Sequence, residues 1–245
     1  MKTYGLIGYP LTHSFSKKYF TEKFEREGIK DCRYELFEIK EASLLPDLVK
    51  SNPDLAGLNV TIPHKESVIR YLNELDEPVK KIRAVNVIKI KDGKLVGYNS
   101  DVDGFKVSLQ KFLPQGFKGD ALILGSGGAS KAVKAALESM KLHFTTVSRN
   151  RTAHAFAYED LNQKYVDSHP LIINTTPLGM YPNTEDCPPI PYSFISENHY
   201  LFDLVYNPEE TLFMKKGAER GARTKNGLEM LHLQAERAWE IWNAK

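Results

Sequence analysis

The chain has 245 residues, with 33 lysines and arginines against 31 aspartates and glutamates, a formal net charge of +2. Hydrophobic residues make up 42% and charged residues 26%, the balance of a soluble globular protein long enough for one large domain or two small ones. The near-neutral charge argues against a basic nucleic-acid footprint, and no apolar run is long enough to span a membrane.

The first half alternates short β-type runs with helical patterns. The expected order is strand Thr3–Ile7, helix Ser16–Glu27, strand Arg33–Ile39, helix Ala42–Lys50, strand Leu58–Ile62 and helix Lys65–Leu75. Such alternation implies βαβ units and a mostly parallel sheet. Val85–Tyr98 departs from it, because two alternating runs flank Asp92-Gly93, a hairpin turn signal. A second alternation begins after Asp101: strand DALILG, a helix carrying Ala132, Ala135, Ala136 and Met140, strand FTTVSR, a helix after Thr152, strands LIINTT and YLFDLVY, and an amphipathic helix Leu228–Trp242. The fold class is therefore α/β, in two domains: residues 1–101, with the C-terminal helix 225–245 packing back onto them, and a Rossmann-like domain over residues 102–224. Cys32 and Cys187 lie far apart and form no CxxC, so neither a disulfide framework nor a zinc knuckle is expected. The N-terminal MKTYGLIGYPLTHS lacks the apolar core of a secretory signal, and a cytoplasmic protein is expected.

GSGGAS, Gly125 to Ser130, stands between the strand ALIL and a helix. There Gly125, Ser126, Gly127, Gly128 and Ala129 can bring backbone N–H groups against a pyrophosphate at a helix N-terminus. The string is GxGGAS, with Ser130 where the third glycine of a dinucleotide motif would stand, and an ordinary tight βα turn is the alternative. At the end of the next strand, Ser148, Arg149, Asn150 and Arg151 occupy the place where an NAD site usually carries an acidic residue. A guanidinium can bind a 2′-phosphate bidentately, which favours NADP; the alternative is solvated surface charge.

Small polar residues crowd the element ends of the first half: Ser14 and Ser16, then Asn59, Thr61 and Lys65, then Asn86, and finally Asn99, Ser100 and Asp101. Taken singly, each reads equally as an N-cap, a turn former or a solvated lysine. Gln234 falls within the apolar arc of the last helix, where a carboxamide needs a partner, either a ligand hydroxyl or backbone.

In order, GYPLTHSFS, NVTIPHK, AVN, GYNSD, GSGGAS, NTTPLGM, DLVYNP and NGLEMLHLQ resemble the shikimate dehydrogenase family over nearly the whole chain. The resemblance implies two α/β domains about a cleft, reducing 3-dehydroshikimate to shikimate reversibly with NADPH, a step toward chorismate and the aromatic amino acids; with cofactor and substrate sites on opposite sides of that cleft, hinge motion is expected. It implies Lys65 as catalytic acid/base, paired with Asp101. Ser14 and Ser16 would hold the substrate carboxylate, Thr61, Asn86, Asp101 and Gln234 the ring hydroxyls, and Tyr206 the carboxylate end. Gly125 to Ala129 would bind the pyrophosphate and Ser148 to Arg151 the adenosine phosphate, with Leu204 and Gly227 near the nicotinamide and Glu77 a weaker cofactor contact.

The chain departs from the family at Lys17 (commonly proline), at Ser100 (commonly threonine), at Pro177 in NTTPLGM, and in the register of Arg149 against Arg151. The histidines, His13 among them, show no metal-binding spacing, so no metal is expected. A paralogue acting on quinate or using NAD, or a non-catalytic NADPH sensor, remain the alternatives. A monomer or homodimer acting on a small molecule, without nucleic acid or membrane, is expected; Trp239 and Trp242 suit a core or an interface equally.

Overall fold

The computed structural model describes residues 1–11 and 14–244; His13 lies outside them. Two sheets are present, and the chain divides into two compact units, Met1–Ser100 with Ala235–Lys245, and Asp101–Gln234. The final helix contributes its first turns to the second unit and the rest to the first.

The first sheet comprises β1 (Lys2–Gly8), β2 (Cys32–Glu38), β3 (Leu55–Val60), β4 (Glu74–Leu75), β5 (Val87–Lys91) and β6 (Lys94–Tyr98), in the order β2-β1-β3-β5-β6-β4. β1, β2 and β3 are parallel, and β5 runs antiparallel to β3 and β6. The β5–β6 turn at Asp92-Gly93 has positive φ at both residues, as its sequence predicts. Successive residues face opposite ways and both faces are covered, so the strands read as nearly continuous apolar runs. Ile7, Leu58, Val60 and Ile88 pack with Leu45, Val68 and Val79 on one side. Tyr4, Leu6, Tyr34 and Val87 pack on the other with Phe20, Ala238 and Trp242. The helices of this unit are α1 (Phe15–Arg26), α2 (Leu45–Ser51), α3 (His64–Ser67) and α4 (Glu77–Ile82). Trp242 belongs to the core: its ring stacks on Tyr4 with centroids 4.8 Å apart, and Nε1 donates to Ile88 O at 3.0 Å. Lys23, almost wholly buried, reaches Glu236 at 2.8 Å and fixes α1 to the C-terminal helix.

The second unit is wound regularly. Its strands are β7 (Ala121–Leu124), β8 (Phe144–Ser148), β9 (Phe156–Ala157), β10 (Leu171–Asn174), β11 (Tyr200–Asp203) and β12 (Arg223–Lys225). All are parallel, in the order β9-β8-β7-β10-β11-β12. Counted from β7, that is the 3-2-1-4-5-6 order of dinucleotide-binding sheets. α5 (Ser100–Phe112) and α6 (Gly128–Ser139) cover one face through Phe105, Leu109, Val133 and Ala136. α7 (Gln163–Ser168) and α8 (Leu212–Ala218) lie on the other, where Val166 and Phe213 pack. α9 (Leu228–Asn243) ends the chain.

Several expectations need correction. The helix expected over Lys65–Leu75 stops early: α3 passes into a 3₁₀ turn, Val68–Tyr71, and Glu74–Leu75 form a strand parallel to Val96–Gly97. Ile69 and Leu72 still reach the core, so their apolar spacing was correct while the backbone followed the free edge of β6. The third strand ends at Val60 rather than Ile62, whose side chain is exposed. After Thr152 the chain forms β9 and a 3₁₀ turn before α7, not one helix. α5 was not expected at all.

Candidate active site

In the first sheet the chain leaves β1 to opposite sides, toward β2 and then β3, so the carboxyl ends of β1 and β3 form a topological switch point, where open α/β sheets bind ligands. Ser14, Ser16, Thr61 and Lys65 all sit on the segments leaving those two strands. The segments are joined by Tyr9 N–H donating to Ile62 O at 3.1 Å and Thr61 N–H to Ile7 O at 2.9 Å. Ser14 caps α1, its Oγ accepting from Lys17 N–H at 3.3 Å. A proline at this position would have no N–H to give, so Lys17 makes this cap bond possible. Its ammonium meets Glu35 at 3.0 Å. Ser16 faces the phenol of Tyr34, which is buried and donates to Asn59 Oδ1 at 2.7 Å. Lys65 is half-buried, and its carbonyl accepts from Val85 N–H at 2.7 Å. Buried beside it in sequence, His64 holds Ile39 O through Nε2 at 2.7 Å.

Asn86 and Ser100 are both buried and bound to each other. Asp101, also buried, follows in the first turn of α5. The structure therefore gathers Ser14, Ser16, Thr61 and Lys65 on two joined segments, and fixes Asn86 at the start of the helix bearing Asp101. Glu77 is an exposed residue of the first turn of α4, ion-paired with Lys80, which holds its carboxyl below the usual range.

In the second unit the switch point lies between β7 and β10. A cavity of about 410 Å³ opens there, lined by Gly125, Ser126, Gly127, Ser148, Arg149, Thr175, Thr176, Pro177 and Leu178. Gly125 has φ +110°, and a Cβ on it would lie 2.7 Å from Thr175 Oγ1. Only glycine satisfies both conditions. Gly127 is the N-cap of α6 without a side-chain cap, so the N–H groups of the first turn, from Gly128 and Ala129, are left for a ligand. Ser130, buried, donates back to Gly127 O at 2.7 Å and takes the structural place of the third glycine. An anionic dinucleotide suits this donor set: backbone N–H groups, a helix N-terminus and one guanidinium.

Arg149 and Arg151 part company. Arg149 lines the cavity. Arg151 pairs with Asp160, Nε to Oδ2 at 3.0 Å and Nη2 to Oδ1, and faces a separate depression with Lys134, Phe144 and His154. Asn150 contributes its carbonyl, accepting from Ser148 Oγ at 2.6 Å. Leu204 and Gly227 meet: any Cβ on Gly227 would collide with the Leu204 carbonyl, and Gly227 N–H donates to Val205 O at 3.1 Å. Tyr206 is half-buried, which pushes its phenol pKa up. Gln234, half-buried, packs its backbone against Gly104 of α5. Sequence reasoning gave no role to Asn174, Thr175, Thr176 or Asp203, although NTTPLGM directly follows a strand and Asp203 interrupts an apolar one. Among the described residues no group of His, Cys, Asp or Glu is arranged for a metal, and no helix is long and apolar enough to cross a membrane.

A parallel sheet of this order with a glycine turn at its switch point defines an α/β protein of the dinucleotide-binding class. The model of the shikimate dehydrogenase substrate binding domain matches residues 6–88. A shikimate dehydrogenase (NADP(+)) of Methanococcus maripaludis is 38% identical over 259 residues, covering 100% of this chain and 92% of that protein. The crystal structure of shikimate 5-dehydrogenase from Thermus thermophilus, in complex with NADP(H) and shikimate, superposes with a TM-score of 0.88 at 28% identity, over 99% of this chain and 94% of that one. A 5-ketofructose reductase of Gluconobacter, ligand-free, gives a TM-score of 0.85 at 27% identity, over 100% and 93%. The chain belongs to the shikimate dehydrogenase family and is an oxidoreductase.

Proposed function

We propose that the chain reduces 3-dehydroshikimate to shikimate reversibly with NADPH, in the cytoplasm, where its two free cysteines would stay reduced. The observation that carries this reading is the placement of Ser14, Ser16, Thr61 and Lys65 on the joined segments at the first switch point, in a chain whose second sheet has dinucleotide order. The first unit is assigned to substrate and the second to cofactor.

When bound, NADPH supplies the hydride. The chain's residues manage charge and protons. Two serine hydroxyls on one segment suit a carboxylate. A ketone receiving hydride becomes a developing alkoxide that needs electrostatic stabilisation and a proton, and the Lys65 ammonium can give both. Asp101 is the carboxylate assigned to pair with that lysine and orient it. Asp101, Tyr206 and Gln234 belong to the second unit and enter the reading through the family resemblance. On the cofactor side, the first-turn N–H groups of α6 take the pyrophosphate and Arg149 the 2′-phosphate; Leu204 and Gly227 are assigned to the nicotinamide end.

The test is absorbance at 340 nm with shikimate and NADP⁺, repeated with NAD⁺, with quinate, and in reverse with 5-ketofructose and NADPH. NADPH formation from shikimate and NADP⁺ alone supports the reading. Turnover of 5-ketofructose instead would transfer the site to another carbonyl substrate, and silence from folded protein would favour a non-catalytic sensor.

A further inference from the structure

Asp203 is a fully buried carboxylate at the end of an apolar strand. Burial pushes its pKa up to about 6, against the pull of hydrogen bonds from Thr211, Val205 and Asn174. A carboxylate there has to be desolvated, and only its hydrogen bonds offset that cost. What those bonds do is join two strand ends. Oδ1 accepts from Asn174 Nδ2 at 2.9 Å and from Val205 N–H at 3.0 Å, and Oδ2 accepts from Thr211 Oγ1 at 2.6 Å.

Each partner leads somewhere different. Asn174 Oδ1 in turn accepts from Thr176 N–H at 3.0 Å and Thr176 Oγ1 at 2.6 Å, and Leu178 N–H donates to Thr176 Oγ1 at 3.3 Å. Thr176 and Leu178 are walls of the cavity at the second switch point. Val205 follows Leu204, whose carbonyl packs against Gly227. Thr211 leads away from the cavity, capping α8 through Met214 N–H at 3.3 Å.

We propose that Asp203 is a positioning residue for the dinucleotide, holding the Thr176–Leu178 wall and the Leu204–Val205 backbone in one fixed relation through Asn174 and Val205 N–H. This rests on reading the cavity as the NADPH site. Asp203 does not touch the cofactor; it acts through Asn174 and the backbone.

The test is NADPH fluorescence titration of the full chain, with thermal melting alongside, for wild type, Asp203→Ala, Asp203→Asn, Asn174→Ala and Thr211→Val. Asp203→Ala and Asn174→Ala are expected to weaken NADPH binding by about tenfold or more, since the first takes the acceptor from Asn174 Nδ2 and Val205 N–H and the second takes it from the wall residue Thr176. In steady state the loss falls on KM for the cofactor rather than KM for shikimate. Asp203→Asn keeps Oδ1, and its new N–H₂ can donate to Thr211 Oγ1, so binding stays within about threefold of wild type. Thr211→Val cuts only the arm toward α8; it lowers the melting temperature and leaves binding within about threefold. The proposal is overturned if folded Asp203→Ala and Asn174→Ala bind like wild type, or if Thr211→Val weakens binding as much as Asn174→Ala, for then affinity follows stability. Should Asp203→Ala fail to fold, Asn174→Ala against Thr211→Val decides. A wild type that binds no NADPH overturns the cofactor reading itself, and the Asp203 assignment with it.

Discussion

The Asn86 carboxamide grips Ser100 at both ends: Oδ1 accepts from the Ser100 N–H at 2.7 Å, and Nδ2 donates to Ser100 Oγ at 3.1 Å. Ser100 is the first residue of α5 and Asp101 the second, so a side chain between two strands fixes where the helix bearing the assigned carboxylate begins. Asn86→Ala removes both of these buried hydrogen bonds, at a cost of about 1–3 kcal/mol. The urea midpoint should fall accordingly. KM for shikimate should rise too, since Asn86 is one of the residues assigned to the substrate ring. A variant destabilised by that amount with unchanged KM would confine Asn86 to the structural role.

Lys65 is expected to behave differently. Its backbone is anchored by the Val85 N–H, and its neighbour His64 by Ile39 O, so removing the lysine head group leaves the segment in place. Lys65→Ala should lower kcat about 10²–10⁴-fold, the range for loss of a general acid–base group. Equilibrium binding of shikimate should change little. Single-turnover kinetics with calorimetry separates the two. Wild-type turnover would remove Lys65 from the chemistry.

Much of this was legible in the sequence because parallel strands buried on both faces announce themselves as apolar runs, and their ends as polar clusters. The glycine turn, the hairpin at Asp92-Gly93 and the last helix are all local features, and all appear where expected. What escaped depended on tertiary partners. Glu74 and Leu75 continue a helical pattern in isolation, but the open edge of β6 pairs them as strand. α5 carries Phe105, Leu109 and Phe112 at helical spacing, yet it begins inside GYNSD, where Asn and Ser suggest a turn. In the site, the division between Arg149 and Arg151 needed Asp160, nine residues beyond Arg151, to be seen claiming one guanidinium. The signal for Asp203 was present: a carboxylate inside YLFDLVY has to be paid for by partners, and NTTPLGM supplies one of them.

The two arginines give a paired prediction. Arg149 lines the cavity, so Arg149→Asp should shift the ratio of kcat/KM for NADPH over NADH by about tenfold to a hundredfold toward NADH, through loss of a charge-assisted contact and repulsion of the 2′-phosphate. Arg151 is already engaged by Asp160 and largely exposed, so Arg151→Ala should leave that ratio within about twofold and barely move the melting temperature. If Arg151→Ala moves the ratio and Arg149→Asp does not, the phosphate site belongs to the other register.

Two carboxylates of the second unit are displaced in opposite directions, and stability should follow pH accordingly. Burial tends to raise the Glu229 carboxyl, but hydrogen bonds from Lys225, Lys111 and Ser108 prevail and bring it to about 2. A depressed group adds stability above its unfolded value and loses it as pH falls toward the folded one. Glu229→Gln should therefore be destabilising at pH 7, by about 1 kcal/mol or less given its exposure, and neutral near pH 2. Asp203 is raised from 3.8 to about 6 by burial, so its contribution is complete below about pH 4 and declines as pH rises through 6. The decline is at most about 3 kcal/mol for a shift of this size. Asp203→Asn does not titrate, and its stability relative to wild type should climb between pH 4 and pH 7.5. Denaturant melts of both variants from about pH 2 to pH 7.5 read both slopes. A wild type whose stability relative to Asp203→Asn stays flat through pH 6 would mean that Asp203 is ionised throughout, its three donors outweighing its burial.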